Sequence, residues 1–166
     1  MIQIGEGFRG AGAEAAHVNI VLGDRNGPMA SAWATALASP TAGHASFTVV
    51  LRPGLAVRPY TVFVNKASIE SDDHARLTWG AAQAGVASGL TDALADEIID
   101  ARHADHSLCI AAVWVDPQAV DEELVYSNNR WATREAVRVA MKGGPALPDL
   151  LALRDKPSNP FFRPEH

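Results

Sequence analysis

The segment Pro59-Tyr60-Thr61-Val62-Phe63-Val64-Asn65-Lys66-Ala67-Ser68-Ile69 limits the folds open to this chain more than any other. Its β-branched and aromatic residues suit a pleated strand, and Pro59, with no N–H for a ladder, suits the strand's entrance. Side chains alternate across a strand. Phe63, Asn65, Ala67 and Ile69 therefore share one face, and Val62, Val64, Lys66 and Ser68 the other. An ammonium and a hydroxyl stand two residues apart on an otherwise apolar face. Taken alone, a strand lysine most simply guards a sheet edge against pairing with other chains.

At 166 residues, with 48% hydrophobic and 20% charged residues, the chain reads as one globular domain spanning 1–166. A formal charge of −5 and the lack of a basic stripe argue against a nucleic-acid partner. No apolar run reaches membrane-spanning length, and the longest, around Cys109 to Val115, reads as a buried strand. Met1-Ile2-Gln3-Ile4-Gly5-Glu6 has neither a basic n-region nor an apolar h-region. A cytoplasmic protein with no membrane association is therefore expected. The single Cys109 excludes an internal disulfide and any multi-cysteine metal site, and its apolar setting marks it as core filler.

The remaining elements follow from pattern. Residues 2–8 form a short strand, and a Gly/Ala-rich connection leads to a second strand over 16–23. There Val18, Ile20 and Leu22 face the core, and His17, Asn19 and Val21 face away from it. Asp24 to Pro28 is a turn, followed by a helix from Met29 to Ala38. A strand over about 46–52 precedes the Lys66 strand. Ser71-Asp72-Asp73 opens a helical region reaching about Ala101 and interrupted near Trp79-Gly80. Leu108 to Val115 is a strand, Asp121 to Met141 a helix ended by Gly143-Gly144, and the tail from Pro145 is extended. Strands and helices interleave without strict alternation, which predicts an α/β (α+β) two-layer sandwich of sheet and helices.

No phosphate-binding glycine motif, nucleophile elbow or His-Glu-x-x-His motif is present. His103 and His106, with Asp100 and Asp105, lie on a polar loop and read as solvated surface; no metal is expected. The polar residues left over for chemistry are His17, Asn19, Lys66, Ser68 and Gln83.

Those residues sit in a pattern that resembles the formaldehyde-activating enzyme family, tetrahydromethanopterin-dependent hydro-lyases. The likeness is carried by Ile4-Gly5-Glu6, Gly12, Glu14, Ala16-His17 and Gly23. It continues through Gly43-His44, Pro53, Leu55, Pro59, Thr61 and Asn65-Lys66. Gly80, Ala82-Gln83, Gly85-Val86-Ala87, Asn129, Ala132-Thr133 and Asn159-Pro160-Phe161 complete it. The resemblance implies a fold like the second domain of a small-subunit ribosomal protein and a ring-shaped homopentamer with sites between subunits. It implies condensation of formaldehyde with tetrahydromethanopterin, a co-substrate, to methylene-tetrahydromethanopterin and water. His17 matches the catalytic histidine, and Asn19, Thr48, Lys66, Ser68 and Gln83 match the substrate-binding positions.

Three positions depart from the family pattern. Asn19 stands in place of an aspartate, which would favour the imidazolium if it lay beside the histidine. Thr48 replaces a leucine and Ser68 a threonine. These changes suggest a divergent paralogue. Its alternatives are a non-catalytic formaldehyde- or pterin-binding protein, or the same chemistry on another amine acceptor.

Overall fold

The computed structural model describes residues 1–159 and 162. Seven strands and six α-helices are described, besides a 3-10 turn and a π-helical one: β1 Gln3–Arg9, β2 Ala16–Asp24, α1 Pro28–Ala38, β3 Phe47–Thr48, β4 Val50–Arg52, β5 Leu55–Ala56, β6 Tyr60–Asn65, α2 Asp72–Arg76, α3 Gln83–Ala95, α4 Ala101–His106, β7 Ser107–Trp114, α5 Glu122–Met141 and α6 Leu147–Ala152. The main sheet has the order β1-β2-β7-β6-β3, and β4 and β5 form a small second sheet. Only the β6–β7 pairing in the main sheet is parallel. This is the mixed α/β sandwich expected from the interleaved pattern.

One face of the sheet carries α5 and α3. Ala16, Val18, Ile20 and Leu22 of β2 and Cys109, Ala111 and Val113 of β7 are buried in the same core as Val86, Leu90, Ala132 and Val137 of the two helices. Gly5 and Gly7 let α5 lie directly on β1. A Cβ on Gly5 would stand 1.8 Å from the Ala136 carbonyl oxygen, and one on Gly7 2.0 Å from that of Ala132. Gly85 and Gly89 repeat the device between α3 and α5. There a Cβ would come within 2.5 Å of the Tyr126 oxygen or 2.4 Å of the Arg130 oxygen.

The opposite face is only half covered. Helix α1 packs on β2, β6 and β7, with Met29 against Gly23 and the Trp33 indole N–H donating to the Tyr60 carbonyl at 3.1 Å. Gly23 and Tyr60 both align with Leu108, so α1 sits over that end of the strands. At the other end His17, Asn19, Lys66 and Trp114 are partly exposed among the described residues.

Several boundaries differ from expectation. The Lys66 strand ends at Asn65 rather than running to Ile69. The Asn65 amide donates to the Gly43 and Ala67 carbonyls at 2.9 and 2.7 Å, and these side-chain bonds turn the chain out of the sheet. The strand expected over 46–52 breaks at the buried Val49, where the chain passes from the main sheet to the small one. The long helical region widens into a π-helical turn over Leu77–Ala82, the place marked by Trp79-Gly80, and ends at Ala95. His103 and His106 lie on α4 rather than on a loop. Asp100 caps that helix by accepting from the His103 N–H at 2.8 Å. The tail expected to be extended contains α6, begun by Pro148 in its first turn. Of the tail motif, Pro160 and Phe161 lie outside the described residues.

Candidate active site

Strand register assembles the polar residues on the half of the sheet away from α1. Glu6 lies opposite Asn19, and Phe8 opposite His17. On the far side of β2, Ala112 lies beside Asn19 and Trp114 beside His17. Val64 stands next to Ala112. The Lys66 N–H donates to the Val113 carbonyl at 2.8 Å, which carries the ladder one residue past β6 and brings Lys66 level with Trp114. Two adjacent rows result, Glu6–Asn19–Ala112–Val64 and Phe8–His17–Trp114–Lys66.

Two polar pairs tie these rows together. His17 Nε2 stands 2.5 Å from Glu6 Oε1. An ionised carboxylate only accepts, so Nε2 carries the proton and Nδ1 is the nitrogen available to exchange one with a substrate. The Phe8 ring meets the imidazole edge-on, with centroids 6.2 Å apart, and holds its plane. Lys66 Nζ donates to Asn19 Oδ1 at 2.7 Å. The small Ala112 between the two strands leaves room for that reach. Lys66 is half-buried, and the loss of water around its ammonium lowers its pKa to about 8, against the opposing pull of the Glu6 charge. Lys66 is therefore no edge guard: it leans across the sheet face.

The carboxylate beside the histidine thus comes from β1, and Asn19 serves the lysine instead. Sequence reasoning noted Glu6 only as part of a motif. Its alternation with Ile4 and Phe8 was the available signal, but which strand it would face was not.

The other candidates lie apart from this cluster. Ser68 is exposed, and its hydroxyl stands 2.9 Å from His44 Nε2. His44 Nδ1 is 2.9 Å from the Asn65 carbonyl, which only accepts. Nδ1 therefore carries the proton, and in the neutral ring Nε2 accepts from Ser68. His44 was another residue that pattern reading did not select. Thr48 pairs with Val62. It shares the Lys66 face but lies about 13 Å back along the strand, at roughly 3.3 Å per residue.

Gln83 is on the helical side of the sheet. Its Oε1 accepts from the Val50 N–H at 2.7 Å, leaving its NH₂ group for a ligand. With Ala45, Phe47, Val50 and Trp79 it lines a hollow of about 440 Å³. Phe47 is held there by stacking on Phe63 at 5.0 Å. Within one chain, then, His17, Asn19 and Lys66 converge, while Gln83 occupies the other face. Among the described residues no group of three His, Cys, Asp or Glu side chains is placed to hold a metal ion, and no helix is long and apolar enough to cross a membrane.

The fold is a mixed α+β sheet that carries a carboxylate–histidine pair beside a half-buried lysine. Comparison with known proteins gives it a family. The profile of "Formaldehyde-activating enzyme (Fae)" matches residues 4–162. A "5,6,7,8-tetrahydromethanopterin hydro-lyase" of Methanosarcina barkeri is 37% identical over 95% of this chain and 89% of its own length. A "Bifunctional enzyme Fae/Hps" of Archaeoglobus fulgidus is 36% identical over 96% of this chain, which spans 40% of that protein. One of Methanococcoides burtonii is 36% identical over 94%, and the chain spans 39% of it. The chain belongs to the formaldehyde-activating enzyme family.

Proposed function

We propose that this enzyme is a carbon–oxygen lyase of the hydro-lyase type, joining formaldehyde to tetrahydromethanopterin and releasing water. The observation that carries the reading is that the His17–Glu6 and Lys66–Asn19 pairs lie side by side on the partly exposed half of the sheet. The name of the Methanosarcina barkeri relative supports the choice of pterin.

An amine that adds to formaldehyde gives an N–CH₂–OH group, which must shed its oxygen before a second amine can close on the carbon. Hydroxide is a poor leaving group. His17, as the imidazolium with its Nε2–H held by Glu6, donates from Nδ1 to that oxygen, and water departs. General acid help of this kind is worth about 10²–10⁴-fold. Lys66 and Asn19 bind and orient the one-carbon unit beside the imidazole. The flat pterin stacks in the hollow between Trp79 and Phe47, and the Gln83 amide pairs with its polar edge.

Gln83 and His17 lie on opposite faces of one chain. A single site using both is therefore shared between chains, as in a homopentameric ring. Thr48 and Ser68 line the same shared site. We place the reaction in the cytoplasm.

The decisive measurement is methylene-pterin formation above the spontaneous rate, in wild type and in His17→Ala. The wild type is expected to exceed background, and His17→Ala to lose about 10²–10⁴-fold. A wild-type rate equal to background overturns the reading and leaves a formaldehyde- or pterin-binding protein.

A further inference from the structure

We infer that Lys66 is a catalytic nucleophile: its amine captures formaldehyde covalently and passes it to the acceptor as an iminium. This rests on formaldehyde being the substrate and goes beyond a binding role for the lysine. Three observations support it.

First, the one hydrogen bond described for Nζ runs to Asn19 Oδ1, a neutral acceptor, at 2.7 Å. Among the described residues no carboxylate forms an ion pair with Lys66, and Glu6 is engaged by His17. An aspartate at position 19 would hold the ammonium; asparagine positions the nitrogen without a counter-charge. Second, Lys66 is half-buried, and with a pKa near 8 about a tenth of it is free amine at pH 7. A lysine at 10.4 has about 0.04%. Third, the register sets Lys66 and His17 in one row with Trp114 between them. Two strand spacings of about 4.8 Å separate their backbones, a gap that the lysine stem shortens.

The steps balance without any oxidant or reductant. The Nζ lone pair attacks the carbonyl carbon, a C–N bond forms, and a proton passes from nitrogen to the new alkoxide. His17 then protonates that hydroxyl from Nδ1, the C–O bond breaks, and water leaves a protonated C=N bond on Lys66. The first amine of the reduced pterin adds to this carbon and returns its proton to His17. His17 passes that proton on to Nζ, which departs as the free amine of Lys66 and leaves the carbon doubly bonded to the pterin nitrogen. The second pterin amine closes on that carbon and gives its proton to His17. Formaldehyde oxygen leaves as water, and the enzyme is regenerated.

The test is reductive trapping of the full chain. Wild type is treated briefly with limiting formaldehyde and cyanoborohydride near pH 7, and methylation is mapped by peptide mass spectrometry. The chain has three lysines, at 66, 142 and 156, and the last two are exposed internal controls. Lys66 is expected to be methylated at least about 10-fold faster than either, and Asn19→Asp to remove most of that preference by supplying a counter-ion. Methylation of Lys66 no faster than at Lys142 and Lys156 overturns the proposal. A parallel condensation assay without reductant separates the two readings. Acceleration by wild type without trapping at Lys66 defeats covalent capture alone. Trapping at Lys66 without acceleration sustains capture and defeats the proposed reaction with the pterin.

Discussion

Glu6 and Asn19 face each other across β1 and β2, yet each pairs with a different side chain, His17 or Lys66. If Glu6 holds the His17 tautomer, Glu6→Gln should lower kcat about 10-fold with little change in KM. It should add little in a His17→Ala background, because residues that act as a unit are not additive. Steady-state kinetics of the two single variants and the double variant would show this; equal and independent losses would contradict it. Lys66 makes a prediction about stability. Its folded pKa, about 8, lies below the ordinary 10.5, so the unfolded chain binds more protons between those values. The ammonium therefore opposes folding fully below pH 8, and the penalty fades as pH rises to 10.5. Lys66→Met should stabilise the protein at pH 7, by on the order of 1 kcal/mol after solvent screening, and the gain should shrink by pH 10.5. Urea unfolding at the two pH values would measure it. A gain that grew with pH would show that burial is not what lowers the lysine's pKa.

At the scale of elements, close packing outweighs surface charge. Arg130 on α5 grips Asp92 on α3 through two hydrogen bonds of 2.6 and 2.8 Å. The guanidinium bond is the leading reason that the Asp92 pKa lies below its usual value. The contribution of this pair is present above the unfolded carboxyl range and is lost as pH falls through the lowered folded pKa. Such surface pairs are worth about 0–1 kcal/mol. One turn away, Gly89 lies so close to α5 that an added Cβ would meet the Arg130 carbonyl at 2.4 Å. Overpacking of that kind costs about 1–3 kcal/mol. Gly89→Ala should therefore destabilise more than Asp92→Asn in denaturant unfolding at pH 7, and only the second effect should vanish near pH 2. The reverse ranking would mean that the helices separate freely. The same packing seats α5 on Gly5 and Gly7, and this fixes β1, and with it Glu6, beneath His17.

For the whole molecule, the proposed reading, with His17 and Gln83 in one site, takes more than one copy of the chain. The His17 cluster and the Gln83 hollow open on opposite faces of the sheet, and α1 buries only Met29. Trp79, Leu51 and Leu55 are exposed apolar residues near the hollow's side of the fold. If sites are shared between chains of a pentamer, light scattering should give the mass of five chains. Mixing His17→Ala with Gln83→Ala subunits, each inactive alone, should then restore part of the activity in hybrid rings. Failure to complement, with hybrids demonstrated by mass, would place the whole site within one chain and remove Gln83 from it.

What the residues decided alone was local. Alternation along β2 put His17 and Asn19 on the face away from the core, and alternation along β6 put Lys66 on the face it shares with Val62 and Val64. Ser71-Asp72-Asp73 and Asp121 marked helix starts, and the ordered motifs pointed to the family. None of this depends on long-range pairing, because periodicity and capping are properties of neighbours in sequence. The tertiary structure decided which strands are adjacent. It inserted β7 between β2 and β6, brought Glu6 to His17 and Lys66 to Asn19, and turned the chain out of the sheet at Asn65. It also put Gln83 behind the sheet. Register and strand order come from contacts between residues far apart in the chain, and a change of one residue in register would have carried His17 into the core.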